Sequence, residues 1–182
     1  MLRLGLLVAL LTLVLDQASK AAVLYGLDFI HCAPCRGFID VCIRCPPIEL
    51  TPFFSLSMVW NEGISFGLFQ AETLLDRIFL IGFATIVASA LTFWMSRTQD
   101  RLVTIALGLV IGGAVGNVID RVYYGAVTDF LDFHLFGYHW YTFNIADAAI
   151  VMGVGLLLLD ALVLRGDEGA GKKPLTRHGE TE

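Results

Sequence analysis

Between Gly116 and Ala149 the chain carries Asn117, Asp120, Arg121, Asn144 and Asp147 at the edges of apolar stretches, with Asp129 and Asp132 between them. Ionisable groups at membrane depth are costly, so they are functional candidates by default. Two aspartates can hydrolyse a peptide bond without a nucleophilic side chain. The ionised one takes a proton from water. The protonated one polarises the carbonyl and then helps the leaving amine. Close like charges favour a shared proton and raise one apparent pKa, and those values belong to the pair. Asp129 and Asp147 are the pair singled out here. The Asn and Arg neighbours would orient the carboxyls and the substrate backbone.

Other chemistries find less support. The sequence has no HExxH and no Gly-rich phosphate loop. His31, His134 and His139 are scattered and read as interfacial or solvated rather than as metal ligands. Asp120 and Arg121 could pair with each other or cap a helix end. Asp132, three past Asp129 on a segment of strand character, reads as solvated, and Asp160 as an interfacial charge. Ion coupling through Asp16, Asp120 and Asp147 in a small transporter is a rival to catalysis.

The elements that must carry these groups are membrane spans. Of 182 residues, 57% are hydrophobic and only 16% charged, with a mean hydropathy of +0.74; soluble chains carry about 25% charged residues. The net charge of −5 comes with no basic patch for nucleic acid. At about 20 residues per span, four apolar runs qualify, near 4–25, 74–95, 102–119 and 145–164. In the first, Asp16 and Lys20 share a helix face as an i, i+4 pair. In the third, Gly108, Gly112 and Gly116 form a stripe that admits a close neighbour, and helix packing alone accounts for it. Phe54, Leu56, Met58 and Trp60 alternate with Ser55 and Ser57, a half-buried strand pattern. A turn at Asn61-Glu62-Gly63 and a second strand over 64–69 would complete a small surface sheet, 53–69. Residues 121–143 are rich in aromatics, the composition of the headgroup region. Residues 166–182 form a polar tail.

Arg3, Arg97, Arg101, Arg165, Lys172, Lys173 and Arg177 fall on one side of a four-span arrangement, which makes that side cytoplasmic, with both termini inside. Asp16, Asn61, Asn117, Asp120, Asp129, Asn144 and Asp147 then all lie near the outer face. No single residue requires this coincidence.

Four blocks in order resemble the lipoprotein signal peptidase (type II signal peptidase) family: D-Q-A-S-K at Asp16–Lys20, N-E-G-I-S-F-G at Asn61–Gly67, G-N-V-I-D-R with V-T-D-F behind it, and F-N-I-A-D at Phe143–Asp147. Together, across four spans, they are highly specific. The resemblance implies a fold of four transmembrane helices with a small β-cradle and an interfacial segment on the outer, periplasmic side. It implies one membrane-embedded peptidase domain over 1–165, in the bacterial inner membrane. The activity would be that of an aspartyl endopeptidase cutting diacylglyceryl-modified prolipoproteins just before the lipidated lipobox cysteine. By motif match the dyad would be Asp129 and Asp147, supported by Asp16, Lys20, Asn61, Asn117, Asp120, Arg121 and Asn144. No cofactor and no active-site metal are expected, and the inhibitor would be the lipopeptide globomycin.

The segment 27–51 departs from that pattern. Cys32, Cys35, Cys42 and Cys45 have the spacing of a zinc or iron–sulfur set, yet an outer location favours disulfides. Four cysteines allow three full pairings. The segment could act as a redox-sensing lid. A thiol–disulfide membrane redox protein built on the two Cys-x-x-Cys pairs is therefore the alternative from another class.

Overall fold

A computed structural model describes residues 1–32, 45–63 and 73–164. Four helices there are long and apolar enough to cross a bilayer. Helix α1 (Leu2–Ala21) continues through a π turn at Ala22–Gly26. Helix α2 spans Leu74–Arg97, α3 Arg101–Tyr123, and α4 Ile145–Leu159, with a further π turn to Leu164.

Local chemistry accounts for the starts. Thr73 and Asp76 form a reciprocal capping box on α2. The Asp100 side chain accepts from the Leu102 and Val103 N–H groups, which fixes a three-residue link between α2 and α3. Asn144 caps α4 by accepting from the Asp147 N–H.

Helix α3 is the central one. In its most apolar window 61% of residues are buried, against 17% to 28% in the other three spans. Its glycines explain how it can be surrounded. A Cβ on Gly108 would meet the Gly5 carbonyl at 2.7 Å, one on Gly112 would strike the Ala9 carbonyl, and one on Gly113 would meet the Ala146 carbonyl at 2.5 Å. Neighbouring backbones thus approach α3 directly, as small residues allow in membrane interiors. Large apolar side chains of α1, α2 and α4, such as Leu11, Phe79, Ile86 and Val151, point outward. A lipid-facing helix surface has that composition.

Strands β1 (Ile48–Thr51), β2 (Phe54–Asn61), β3 (Val127–Leu135) and β4 (Tyr138–His139) form one antiparallel sheet in chain order. The sheet differs from the one expected in three ways. Strand β1 arises inside the segment 27–51. Strand β2 pairs with β1 and β3, while the expected 64–69 strand lies outside the described residues. The alternation within β2 also breaks. Ser55 is buried opposite Asp132, and Val59 is exposed. The register moves by one residue between Leu56↔Leu131 and Val59↔Asp129, which is a β-bulge. Beyond a one-residue slip the side chains change face, so the apolar set cannot stay in phase along the whole strand.

Helix α3 runs four residues past the expected end of its span, so Asp120 and Arg121 sit on the helix rather than in the loop. Asp132 and Asp160 are buried, 5% and 6% exposed, so Asp132 is not solvated. Hairpin β3–β4 turns through Phe136 and Gly137, both at positive φ (50° and 81°). Two such residues make a type I′ turn, whose twist suits a two-residue hairpin loop. It brings His134 directly opposite His139, so these two histidines are neighbours rather than scattered.

Candidate active site

Where α1, α3 and α4 end beside the sheet, the apolar seam gives way to a buried polar network. Asp16 lies four residues before Lys20 and faces α3 and the start of α4. Its Oδ2 is 2.8 Å from Lys20 Nζ, and its Oδ1 accepts from the Ala146 N–H at 2.9 Å. That N–H is one of the unpaired donors in the first turn of α4, where negative charge is also favoured by the helix dipole. Lys20 reaches Asp120 as well, at 2.8 Å. Asp120 therefore pairs with Lys20 of another helix, not with its chain neighbour Arg121. Its Oδ2 also accepts from the Thr128 N–H at the start of β3. One ammonium between two fully buried carboxylates is the pairing a low-dielectric interior demands.

Three carboxamides carry this framework to Asp129 and Asp147. Asn117 Oδ1 accepts from Lys20 Nζ at 3.1 Å, and its Nδ2 donates to Asp147 Oδ1 at 2.8 Å. Asn144 Nδ2 donates to Asp129 Oδ1 at 2.7 Å, while Asn144 Oδ1 holds the Asp147 N–H at 2.9 Å. One asparagine therefore links both aspartates. Asn61 Nδ2 donates to the other oxygen of Asp129 at 2.9 Å. The bulge in β2 makes this last contact possible. With the register of Leu56↔Leu131 continued, Trp60 rather than Asn61 would share the face of Asp129. Arg121 Nη2 donates to the Gly63 carbonyl at 2.7 Å and its Nη1 to the Asn117 carbonyl at 3.4 Å, tying the sheet's rim to α3.

The two carboxyls differ in their partners. Both oxygens of Asp129 accept carboxamide hydrogen bonds. Asp147 Oδ2 is buried with no hydrogen-bond partner among the described residues. Burial first, and then the nearby Asp147 charge, push the Asp129 carboxyl up to about 7, against the opposing pull of Asn61, Asn144 and Lys20. A carboxyl in that range can hold a proton near neutral pH.

The residues expected from the sequence, Asp16, Lys20, Asn61, Asn117, Asp120, Arg121, Asp129, Asn144 and Asp147, thus meet in one place. Sequence reasoning missed two contributors. Gln17 Nε2 lies within hydrogen-bond distance of Asp16, the Gly116 carbonyl and Asp120; it stands between Asp16 and Lys20 in D-Q-A-S-K, and only that position could have flagged it. The spacing of Gly116 signals packing alone, yet a Cβ there would strike Asp16 Oδ2. The cysteines lie apart from the network. Cys32 and Cys45 form a disulfide with Cα atoms 5.5 Å apart, and Trp60 Nε1 donates to the Cys32 carbonyl. Cys35 and Cys42 lie outside the described residues.

The sequence family described as Signal peptidase (SPase) II matches residues 8–163. A lipoprotein signal peptidase of Methylobacterium sp. (strain 4-46) is 46% identical over 171 residues, covering 94% of this chain and 96% of the relative. One of Rhodopseudomonas palustris (strain TIE-1) is 45% identical, covering 88% and 93%. A solved bacterial membrane enzyme superposes with a TM-score of 0.71 at 25% identity, covering 98% of this chain and 94% of its own. With its four apolar helices, its small antiparallel sheet and a match over nearly its whole length, the chain belongs to the signal peptidase II family.

Proposed function

We propose that Asp129 and Asp147 are the catalytic dyad through which this aspartic-type endopeptidase of the signal peptidase II family removes signal peptides from prolipoproteins. The substrate carries a diacylglyceryl group, and the cut falls just before the lipidated lipobox cysteine. The observation that carries this reading is the pairing of the two carboxyls through Asn144, with one oxygen of Asp147 left without a hydrogen-bond partner among the described residues. Asp129 is the proton holder: near neutral pH its protonated form polarises the scissile carbonyl. Asp147 Oδ2 takes a proton from the attacking water, and the proton on Asp129 later passes to the leaving amine. Asp16, Lys20 and Asp120 position the dyad through Asn117 and the α4 N-terminus, while Asn61 and Arg121 align substrate backbone along the sheet's rim.

Residues 1–165 act as one membrane-embedded unit with a polar tail at 166–182, a multi-pass protein of the bacterial inner membrane with both termini cytoplasmic. This orientation is supported by Arg3, Arg97 and Arg101. They sit at the bundle end where Gly5 packs against Met95 and Thr104, opposite to the dyad. The dyad then lies near the periplasmic face, where a lipid-anchored substrate meets water. Binding energy from its acyl chains can be used to place the scissile bond. Nucleic acid has no part in this reading.

The test is cleavage of a diacylglyceryl prolipoprotein by the detergent-purified protein, beside Asp129→Asn and Asp147→Asn. We expect wild-type cleavage that globomycin blocks, and a loss of at least about a hundredfold in each variant. A folded variant that retained full rate would remove that aspartate from the dyad.

A further inference from the structure

Away from the dyad, the β3–β4 hairpin collects three groups of metal-ligating type. Asp132 and His134 are two residues apart on β3 and share one face, with which Asp129 is out of phase. The type I′ turn sets His139 directly opposite His134, and the two rings stack with centroids 4.9 Å apart. One ligand atom from each of Asp132, His134 and His139 falls within 4.8 Å of the others. His139 Nδ1 already lies 3.0 Å from the Asp132 carboxylate. Ser55 Oγ donates to the same carboxylate at 3.3 Å and holds it from β2. His134 Nδ1 is buried with no hydrogen-bond partner among the described residues. A nitrogen shielded from water and without a partner is costly to leave so.

We propose that Asp132, His134 and His139 form a binding site for a divalent transition metal of the zinc class, separate from the catalytic dyad. Two imidazoles and a carboxylate match the ligand preference of such an ion, which binds nitrogen and oxygen at about 2.0–2.2 Å. Ligand atoms in a tetrahedral site then lie about 3.3 Å apart. The widest separation here closes by roughly 1.5 Å, the size of one side-chain torsion, and His139, with its side chain 60% exposed, is free to make that movement. Asp132 is already fixed by Ser55, the supporting hydrogen bond that ligating carboxylates commonly have. A bound ion would tie β4 to β3, and so stiffen the strand that carries Asp129.

The experiment uses the untagged full chain in detergent, stripped with chelator and with its disulfide intact, in a Cys35→Ser/Cys42→Ser background to remove competing thiols. Zn2+ is titrated calorimetrically, and Co2+ is titrated by its visible absorption. We expect one equivalent per chain and a nitrogen/oxygen-type Co2+ spectrum. His134→Asn and His139→Asn should each weaken binding by at least about tenfold, the smallest loss typical even of outer-shell partners, while His31→Asn leaves it unchanged. His139→Asn alters an exposed side chain, so its thermal transition without metal should match that of the parent. Affinity equal in parent and both hairpin variants would overturn the proposal. So would an absence of saturable binding at micromolar metal. In either case the Asp132–His139 contact is a structural hydrogen bond only.

Discussion

The two ends of the α1–α3 contact use the same device for different purposes. At one end, Gly108 and Gly112 admit the backbone of α1 at Gly5 and Ala9, and the surrounding cluster of Ala9, Met95, Val103, Leu107 and Ile111 is apolar. At the other, Gly116 continues the same four-residue spacing but admits a carboxylate, and Lys20, Asn117 and Asp120 replace the aliphatic residues. A glycine stripe is therefore indifferent to what it approaches. The side chain opposite decides whether close approach gives dispersion contact or a buried charge network. The first end can lose a contact and still pack. At the second, each group is the partner of another, so a loss leaves a charge without compensation.

That contrast is broken most directly at Lys20. Lys20→Met should leave Asp16 and Asp120 buried without a cation, at a cost of about 3–5 kcal/mol. Yield and thermal unfolding in detergent would report it. Adding Asp16→Asn and Asp120→Asn to Lys20→Met should recover most of that loss. A Lys20→Met protein as stable as the parent would show that the network does not depend on its charge.

The next largest effect is on pH dependence. Asp129 is pushed up to about 7, mainly by burial and then by the nearby Asp147 charge. Below that value it is mostly protonated and can act as the acid; as pH rises through it the proton is lost. Cleavage should therefore fall by about tenfold per unit well above pH 7, where only the protonated fraction works. The same linkage removes stability earlier, as pH rises from roughly 4 to 7, because over that window the folded state holds a proton that the unfolded chain has lost. A flat rate profile between pH 6 and 9 would contradict the assignment of Asp129 as proton holder.

The smallest effect sharpens the comparison itself. Gly112→Ala and Gly116→Ala each add one methyl at the seam, and overpacking of this kind costs about 1–3 kcal/mol. Gly112→Ala should lower the melting temperature while the folded fraction keeps its cleavage rate. Gly116→Ala should lower the rate as well, because its methyl displaces the Asp16 carboxylate that holds the start of α4. Equal effects of the two variants on rate would erase the distinction between the ends.

Much of this was legible in the chain. Four runs of apolar residues near bilayer length imply four spans, since lipid leaves no other way to satisfy the backbone. The blocks around Asp16, Asn61, Asp120, Asp129 and Asp147 mark the family and its polar residues, because each is a short local pattern. What remained hidden depends on register and on partners far apart in sequence. The bulge in β2 is a one-residue slip that no alternation pattern records, yet it turns Asn61 toward Asp129. The extension of α3 hands Asp120 to Lys20, 100 residues away, instead of to Arg121. Asp132 looked solvated because its partners, Ser55 and His139, come from two other strands. Residue type and spacing carry the inventory of a site. Pairing across elements is set by packing, in which a burial cost at one residue is met by a group that no local window contains.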